Sequence, residues 1–295
     1  MAKIKVGIIG GAGYTGGELI RILINHPQAD IISIFSRSNA GNPVHQVHPD
    51  LLGDTDLTFD DNISQEADVI FLCLGHGEAR KFLAAENIPA TAKLIDLSND
   101  FRLKQSSSFG DRSFVYGLPE INKEAIRSAS NIANPGCFAT AIQLGLLPLA
   151  SKGLLNDIYT TGITGSTGAG QGLSQTSHFS WRANNIQAYK TLSHQHLGEI
   201  GESIRQLQPS MKGQLNFVPW RGDFTRGIFI SSQIDSDLSQ QELNQLYEEF
   251  YADQPFTHLS TESIFLKQVV NTNKCIIQVE KSAPRRLYIL LSTTS

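Results

Sequence analysis

The sequence has few cysteines and no long apolar runs. Its 295 residues include three cysteines, Cys73, Cys137 and Cys275, which are too few and too scattered for a disulfide framework or a zinc site. We therefore expect no bound metal. No stretch reaches the roughly 18 apolar residues of a membrane-spanning helix, and the apolar run at 4–9 breaks into glycines at once. We expect a cytoplasmic protein with no membrane segment.

An excess of charge of either sign is also absent. Lys and Arg number 24 and Asp and Glu number 28, which gives a formal net charge of −4. This removes the electrostatic reason to propose nucleic-acid binding, although local basic sites for small anions remain open. With 40% hydrophobic and 18% charged residues the composition is that of a globular chain. At about 150 residues per domain, the length predicts two domains.

The first third alternates strand and helix patterns, which is typical of parallel sheets with crossover helices. There the patterns predict strands at 4–9, 31–35, 69–74 and 94–97, and helices at 15–24 and 79–85. The second half predicts helices at 140–149, 197–207 and 242–251, and strands at 158–163, 215–218, 227–233, 275–279 and 287–291. We predict an α/β chain: a doubly wound parallel-sheet (Rossmann-type) domain at 1–136 and a second α/β domain at 137–295.

A glycine loop separates the first predicted strand from the first predicted helix. Gly10, Gly13 and Gly16 are spaced by two residues each, with Tyr14 and Thr15 between the last two. Glycines permit the tight turn and the close approach of a pyrophosphate, and the helix that follows offers free N–H groups. We interpret the loop as a dinucleotide site; the alternative is a plain strand-to-helix turn.

The end of the second strand indicates which dinucleotide binds. Where an acid would accept from a ribose hydroxyl, the chain has Ser36, Arg37 and Ser38. Two hydroxyls around a guanidinium favour a 2′-phosphate, so the predicted cofactor is NADP(H) rather than NAD. The alternative is a solvated arginine in a loop.

One of the three cysteines has a setting that activates sulfur. Pro135 and Gly136 fit the entry to an apolar helix, which places Cys137 in its first turn. A thiol at a helix N-terminus has its thiolate stabilised and its pKa lowered from about 8.5. Cys73 lies inside a predicted strand and Cys275 begins another, so both are expected to be inert.

Several histidines could serve as a partner for this thiol. His194 and His196 stand at the start of a predicted helix, and sequence physics alone does not choose between them. His76 ends a predicted parallel strand, where it either shapes the backbone near the cofactor or lies in an exposed turn. His45 and His48 lie in a polar loop containing proline.

Taken together, these motifs resemble the N-acetyl-γ-glutamyl-phosphate reductases of arginine biosynthesis, within the aspartate-semialdehyde dehydrogenase superfamily. The resemblance runs from Val6 to about Val279, nearly the whole chain. The motifs that carry it, in order, are 10–16, 36–41, 95–102, 116–120, 134–140 and 162–170.

The resemblance implies roles for particular residues. Cys137 would be the nucleophile, and His196, the second histidine of its motif, the general acid and base. Arg102 would face the acyl phosphate, and Asn134 is also assigned to the substrate. Arg226 is assigned to the substrate on its charge, which together with that of Arg102 would offset the phosphate and carboxylate. The residues assigned to NADP(H) are Gly10, Gly13, Tyr14, Thr15, Gly16, Ser36, Arg37, Ser38, Ser166, Thr167 and Gly168, the last three by the resemblance.

The expected reaction is the NADPH-dependent reduction of an N-acetyl- or other N-acyl-L-glutamyl 5-phosphate to the 5-semialdehyde. It would release phosphate and pass through a thioacyl intermediate on the cysteine. The first domain would bind NADP(H), and the second would bind substrate, carry the catalytic residues and form a homodimer or homotetramer. The alternatives are an aspartate-semialdehyde or aminoadipate-semialdehyde dehydrogenase of the same superfamily, or a non-catalytic NADP-binding sensor.

Two features depart from the family's pattern. Gln195 stands where the family commonly has Arg, and Gly198 where it has Pro, which suggests an acyl group other than acetyl, such as succinyl. After its last strand the family also continues into a long C-terminal helix that returns to the first domain. Here the residues after Leu291 are only 292–295, so either the chain stops short of the natural protein or the protein manages without the helix. Absence of the helix is expected to leave an apolar strip exposed on the first domain.

Overall fold

The chain forms two α/β units, in a computed structural model that describes residues 2–283 and 285–294. Gly136 is the last residue of the first compact unit and Cys137 the first of the second. Each unit is built on one sheet with helices packed against it, and the predicted α/β class is confirmed. Among the described residues, no helix combines the length and apolarity needed to cross a membrane.

The first unit contains a mainly parallel sheet. Its elements are β1 (Ile4–Ile9), α1 (Tyr14–Leu23), β2 (Ala29–Phe35), β3 (Val69–Leu72), α2 (Glu78–Ala85), β4 (Lys93–Asp96), β5 (Ser108–Phe109), β6 (Arg112–Tyr116), α3 (Pro119–Ser128) and β7 (Asn131–Ala133). The strand order is β2-β1-β3-β4-β7-β6-β5, and only the β5–β6 pair among the described strands is antiparallel.

The core of the first unit follows from its short apolar strands. Ile8 in β1 and Ile70 in β3 are completely buried, as expected for strands covered on both faces. The carboxyl ends of the parallel strands lie at one edge, which is where ligands bind in open α/β sheets. The predicted strands and helices of this unit are confirmed, whereas β5, β6, α3 and β7 were not predicted from the sequence.

The second unit contains a mixed sheet. Its elements are α4 (Cys137–Ser151), β8 (Ile158–Thr164), α5 (Phe179–Arg182), β9 (Gln187–Ala188), α6 (His196–Leu207), β10 (Leu215–Arg221), β11 (Ile228–Asp235), α7 (Gln240–Tyr251), β12 (Thr257–Leu259), β13 (Cys275–Ala283) and β14 (Arg286–Thr293). The strand order is β12-β13-β14-β11-β8-β10-β9, with β8 parallel to β10 and β12 parallel to β13.

Helix α4 is the central helix of this unit, and a proline in its last turn needs compensation. Residues from Phe138 to Ala150 are almost all buried. Pro148 has no N–H, so the carbonyl of Leu144 loses its usual helical donor. The hydroxyl of Tyr251 in α7 donates to this carbonyl, and the hydroxyl of Tyr247 donates to the next one, Gly145 O, at 2.6 Å. Two tyrosines therefore fasten α7 to α4.

Strand β10 is longer than the sequence indicates. The predicted strand covers 215–218, and the residue after it, Pro219, cannot donate a ladder hydrogen bond. In the structure the strand continues to Arg221, with Pro219 opposite Gly162 of β8. The carbonyl of Pro219 accepts from the backbone N–H of Tyr189 at 3.0 Å. This extension carries Arg221 to the carboxyl end of the strand.

Candidate active site

The glycine loop has the shape of a phosphate cradle. Gly10 has φ +80°, and a Cβ there would lie 2.5 Å from the carbonyl oxygen of Cys73. A Cβ on Gly16 would lie 2.7 Å from the carbonyl oxygen of Gly10, so the turn closes tightly on itself. Gly13, the N-cap of α1, has no such neighbour and no capping side chain. Tyr14 and Thr15 begin the helix, and their orphan N–H groups fit a pyrophosphate.

A buried histidine, His48, hydrogen-bonds to the backbone of this loop. His48 is 5% exposed, and its Nε2 lies 2.8 Å from the carbonyl oxygen of Gly11, to which the imidazole N–H donates. Its ring also packs against Phe59. The sequence places His48 only in a polar loop. In the structure its hydrogen bond to Gly11 stabilises the glycine loop.

Ser36, Arg37 and Ser38 follow β2 as predicted, and Arg37 has a partner that the sequence does not reveal. Asn39 donates to the hydroxyl oxygens of Ser36 and Ser38 at 3.1 Å each, which leaves both hydroxyl hydrogens to donate to a phosphate. The Arg37 guanidinium lies over the Phe35 ring and pairs with the carboxylate of Glu86 at the end of α2. A 2′-phosphate would therefore share Arg37 with Glu86.

Arg102 and Asn134 lie in the first unit at the segment that leads into α4. Arg102 is 6% exposed. It donates from Nε to the carbonyl of Asn134 at 2.8 Å and from an Nη to the carbonyl of Leu97 at 2.9 Å. The backbone N–H of Asn134 donates to Asp96 O. Arg102 thus holds the main chain just before Gly136 and Cys137.

Cys137 is the first residue of α4 and its side chain is exposed. The next residue, Phe138, is buried against β8 at Gly162, where a Cβ would come within 2.6 Å of the phenyl ring. Phe138 also makes an edge contact with Phe217 of β10, with ring centroids 5.1 Å apart. The absence of a side chain at Gly162 therefore lets the helix N-terminus, and the thiol on it, sit directly on the sheet.

Both histidines of the motif lie in this unit, with different surroundings. The ring of His194 contacts Phe138, Phe217 and His196. Its Nδ1 accepts from the backbone N–H of His196 at 3.3 Å, which places the proton of a neutral ring on Nε2. The Nε2 of His196 lies 3.8 Å from the buried carboxylate of Glu199, one turn along α6. A carboxylate there favours the imidazolium that proton transfer creates.

Tyr189 lies near the thiol and carries Arg221 on its ring, and the sequence identified neither residue. Burial raises the pKa of Tyr189, and the negative charge of the Cys137 thiolate raises it further, while Arg221 opposes the rise. The Arg221 guanidinium stacks on the Tyr189 ring, 4.9 Å from its centroid. The ring centroid of Tyr189 is 5.8 Å from that of His194. A tyrosine therefore lies among the thiol, an arginine and the histidine pair.

The second glycine loop hydrogen-bonds to the residues just before Arg226. Ser166 N–H donates to Phe224 O at 2.8 Å, and the Thr167 hydroxyl donates to Thr225 O at 2.7 Å. The loop containing Ser166, Thr167 and Gly168 therefore runs alongside the segment that carries Arg226. The loop follows the carboxyl end of β8 and the Arg226 segment follows that of β10, and the last residues of these two parallel strands pair with each other.

The departures around His196 alter its surroundings less than the sequence suggests. The side-chain amide oxygen of Gln195 accepts a hydrogen bond from the Lys190 ammonium at 2.9 Å. A positive charge therefore remains beside the position where the resemblance led us to expect Arg. Gly198 lies within the first turn of α6, and the helix continues through it. In the part of the chain that the structure describes, no group of three or more His, Cys, Asp or Glu could hold a metal ion.

Two family models together match almost the whole chain. Residues 5–129 match the model described as "Semialdehyde dehydrogenase, NAD binding domain". Residues 137–294 match "Semialdehyde dehydrogenase, dimerisation domain". The first contains the glycine loop, and the second contains Cys137 and both histidines of the motif.

Curated relatives are similar at about half of their positions. The N-acetyl-gamma-glutamyl-phosphate reductase of Phocaeicola vulgatus is 53% identical over 288 residues, which cover 97% of this chain and 88% of the relative. The protein of the same name from Flavobacterium johnsoniae is 54% identical over 285 residues, 96% of this chain and 88% of its own length.

Among solved structures, aspartate semialdehyde dehydrogenase II from Vibrio cholerae has a TM-score of 0.72 at 14% identity, covering 99% of this chain and 93% of its own. The aspartate semialdehyde dehydrogenase with NADP from Candida albicans has a TM-score of 0.71 at 14% identity, with coverage of 99% and 94%. At these identities the similarity shows the fold.

The surroundings of the three thiols predict selective alkylation. Burial raises the pKa of the Cys73 thiol to about 12, with the Asp96 carboxylate adding to the effect, and Cys275 is buried. Iodoacetamide at pH 7.5 should therefore label Cys137 at least about tenfold faster than either, because the thiolate is the reacting species. Peptide mass spectrometry over a time course measures this. Labelling that persists in Cys137→Ala, or equal rates at all three cysteines, would contradict it.

Proposed function

Because the chain belongs to the semialdehyde dehydrogenase family, we propose that it is an NADPH-dependent N-acetyl-γ-glutamyl-phosphate reductase. It reduces N-acetyl-L-glutamyl 5-phosphate to N-acetyl-L-glutamate 5-semialdehyde and releases phosphate, a cytoplasmic step in arginine biosynthesis. The observation that carries the proposal is an exposed thiol at the N-terminus of α4, grouped with Tyr189 and two buried histidines. Relatives at 53–54% identity bear the name of this activity.

Cys137 performs the covalent step. Its thiolate attacks the acyl carbon, the new C–S bond forms, and the C–O bond to phosphate breaks with departure of the phosphate. When bound, the cofactor supplies a hydride to the thioester carbon. The C–S bond then breaks, which releases the aldehyde and returns the thiolate. The N-terminus of α4 stabilises this thiolate before attack and after release.

His196 is the general acid and base in this proposal. The buried carboxylate of Glu199 favours its protonated form, so the ring can donate a proton to the oxygen of the tetrahedral intermediates and take it back. His194 is instead committed at Nδ1 to the backbone N–H of His196. It orients the first turn of α6, which makes it a positioning residue.

The first unit fits NADPH through two features. The open face of the glycine loop and the N-terminus of α1 suit the pyrophosphate, and Ser36, Arg37 and Ser38 suit the 2′-phosphate. Gly10, Gly13 and Gly16 shape the loop, and Tyr14 and Thr15 supply N–H groups. We assign Ser166, Thr167 and Gly168 to the cofactor, as the family resemblance implies.

Three residues are assigned to the substrate or its support. Arg226 follows the segment that pairs with the second glycine loop, where a guanidinium can offset phosphate charge. Arg102 fixes the carbonyl of Asn134 and so sets the path of the chain into Cys137. We propose that Asn134, which is exposed, contacts the substrate.

The reverse reaction tests the function. With NADP⁺ and phosphate, the wild type should turn over N-acetyl-L-glutamate 5-semialdehyde with a higher kcat/KM than the N-succinyl analogue, aspartate semialdehyde or 2-aminoadipate semialdehyde. Cys137→Ser should abolish turnover yet bind NADPH normally, because a serine hydroxyl provides no accessible anion near pH 7. Preference for another aldehyde would replace the proposed substrate, and NADPH binding without turnover of any aldehyde would indicate a sensor.

The two histidines provide a matched comparison within that assay. His196→Asn should lower kcat by about 10²- to 10⁴-fold with a smaller change in KM, since general acid–base catalysis contributes that much. His194→Asn should cost less, because an amide can still accept from the backbone of His196. The reverse ranking would assign acid–base catalysis to His194.

Cofactor choice depends on Arg37. Arg37→Ala should weaken NADPH binding by about 1.5–3 kcal/mol, the range for hydrogen bonds to charged groups, and leave NADH binding nearly unchanged. Glu86→Gln is the companion variant: it removes the carboxylate that shares Arg37 and should tighten NADPH binding. Titration of dinucleotide fluorescence measures both. Equal loss of both dinucleotides in Arg37→Ala would show that Arg37 supports the fold instead.

The second sheet suggests a homodimer. Helices α4, α6 and α7 contact this sheet, and residues in β8 alternate between buried and accessible, with Tyr159 56% exposed and Thr161 also exposed. On the neighbouring strand β11, the half-buried Phe229, Ser231 and Gln233 lie opposite Ile163, Thr161 and Tyr159. A second copy of the chain would cover this mixed polar and apolar face, as the match to a dimerisation domain supports.

Light scattering should therefore give twice the 32.3 kDa of one chain. Thr161→Arg places a charge on the exposed strand face and should produce monomers, whereas Glu248→Arg on the exposed side of α7 should not. A wild-type monomer, or a dimer unaffected by Thr161→Arg, would remove this face as the interface.

A further inference from the structure

Arg221 occupies the ligand edge of the second sheet. It is the last residue of β10, and it pairs in register with Thr164, the last residue of the parallel strand β8. Gly165 and Ser166 follow Thr164 directly. Ligands in α/β folds collect at the carboxyl ends of parallel strands, so Arg221 stands where a substrate is expected.

Its guanidinium is held on the ring of Tyr189, and Tyr189 lies near the thiol. The guanidinium stacks 4.9 Å from the centroid of Tyr189, whose hydroxyl group experiences the charge of Cys137. Among residues 2–283 and 285–294, Arg221 forms no ion pair, and its Nε has no hydrogen-bond partner. Asp223, two residues on, is engaged by the backbone N–H of Asn184 instead.

A second buried arginine increases the positive charge at this place. Arg182 is 7% exposed and donates from Nη1 to the carbonyl of Arg221 at 3.2 Å. Burial lowers the pKa of Arg182 and the charge of Arg221 lowers it further, while the Asp223 carboxylate opposes both effects. Arg182 therefore adds positive charge beside Arg221, which favours an anion at this end of the strand.

Resting on the proposed function, we propose that Arg221 binds the α-carboxylate of the N-acyl-glutamyl substrate. Phosphate leaves during the reaction, whereas the α-carboxylate stays on the molecule from the first attack to the release of the aldehyde. A guanidinium fixed on an aromatic ring presents a planar pair of donors, which matches a carboxylate. The subsite orients the acyl carbon towards Cys137 and selects substrates that carry this carboxylate.

A thermodynamic cycle that combines Arg221 variants with substrates that have or lack the α-carboxylate tests the proposal. The substrates are N-acetyl-L-glutamate 5-semialdehyde and 4-acetamidobutanal, which lacks the α-carboxylate. In the wild type, loss of the carboxylate should reduce kcat/KM by about 10- to 100-fold, the equivalent of one charge-assisted hydrogen bond. Arg221→Leu should show a similar loss with the first aldehyde and about none with the second. Arg221→Lys should recover part of it.

Other outcomes overturn the proposal. If Arg221→Leu slows both aldehydes equally, Arg221 does not recognise the carboxylate. A raised KM for phosphate alone would assign it to the phosphate, and a displaced pH profile for Cys137 alkylation with an unchanged KM would assign it to thiol activation. Thermal melting and NADPH binding by each variant identify a folding defect, in which case the lysine variant decides.

A binding measurement separates this proposal from the proposed reaction. N-acetyl-L-glutamate should protect Cys137 from iodoacetamide in the wild type, 4-acetamidobutyrate should protect it less, and the difference should vanish in Arg221→Leu. This holds whether or not the semialdehyde is turned over. Equal protection by both compounds in the wild type would overturn the subsite, while failed turnover with selective protection would overturn only the proposed reaction.

Discussion

The packing of Phe138 into the space left at Gly162 determines where the chemistry of the second unit can occur. Phe138 follows the nucleophile directly, so the position of its ring fixes the first turn of α4 and the thiol on it. The same ring contacts Phe217 and His194. The thiol and the histidine pair are thus both positioned by this one aromatic contact. A Cβ at position 162 would come within 2.6 Å of the Phe138 ring and of the Ile230 side chain, so the packing at this point would have to shift.

The fold and the position of Cys137 at a helix N-terminus could be predicted because their signals are local. The alternation of short apolar strands with helices, the glycine spacing, and a cysteine placed after Pro135 and Gly136 are each contained in a few consecutive residues. The same local rules misjudged β10, which was predicted to stop before Pro219. That proline is tolerated since its carbonyl can still accept from Tyr189, a partner 30 positions away that no pattern within the strand reveals.

The unpredicted residues of the site all act through contacts between distant segments. Glu86 pairs with Arg37 from the end of helix α2, and His48 hydrogen-bonds to Gly11 from a loop. Tyr189, which follows β9, lies near the thiol and is stacked by Arg221 of β10. Their own neighbours in sequence carry no motif. The surroundings of Gln195 were likewise not readable from the sequence, because the folded chain brings the Lys190 ammonium alongside its side chain.

Pro148 and Tyr251 form a pair whose members cannot vary independently. The proline removes the donor that the carbonyl of Leu144 would have in an uninterrupted helix, and the tyrosine hydroxyl supplies one from α7. Phenylalanine at 251 would leave a buried carbonyl unsatisfied while proline remains, at a cost of about 1–3 kcal/mol. With an ordinary residue at 148, the carbonyl regains its helical donor and the same phenylalanine becomes nearly neutral. The effect of a substitution at position 251 on stability therefore depends on the residue at position 148, although the two positions are separated by most of the second unit's sequence.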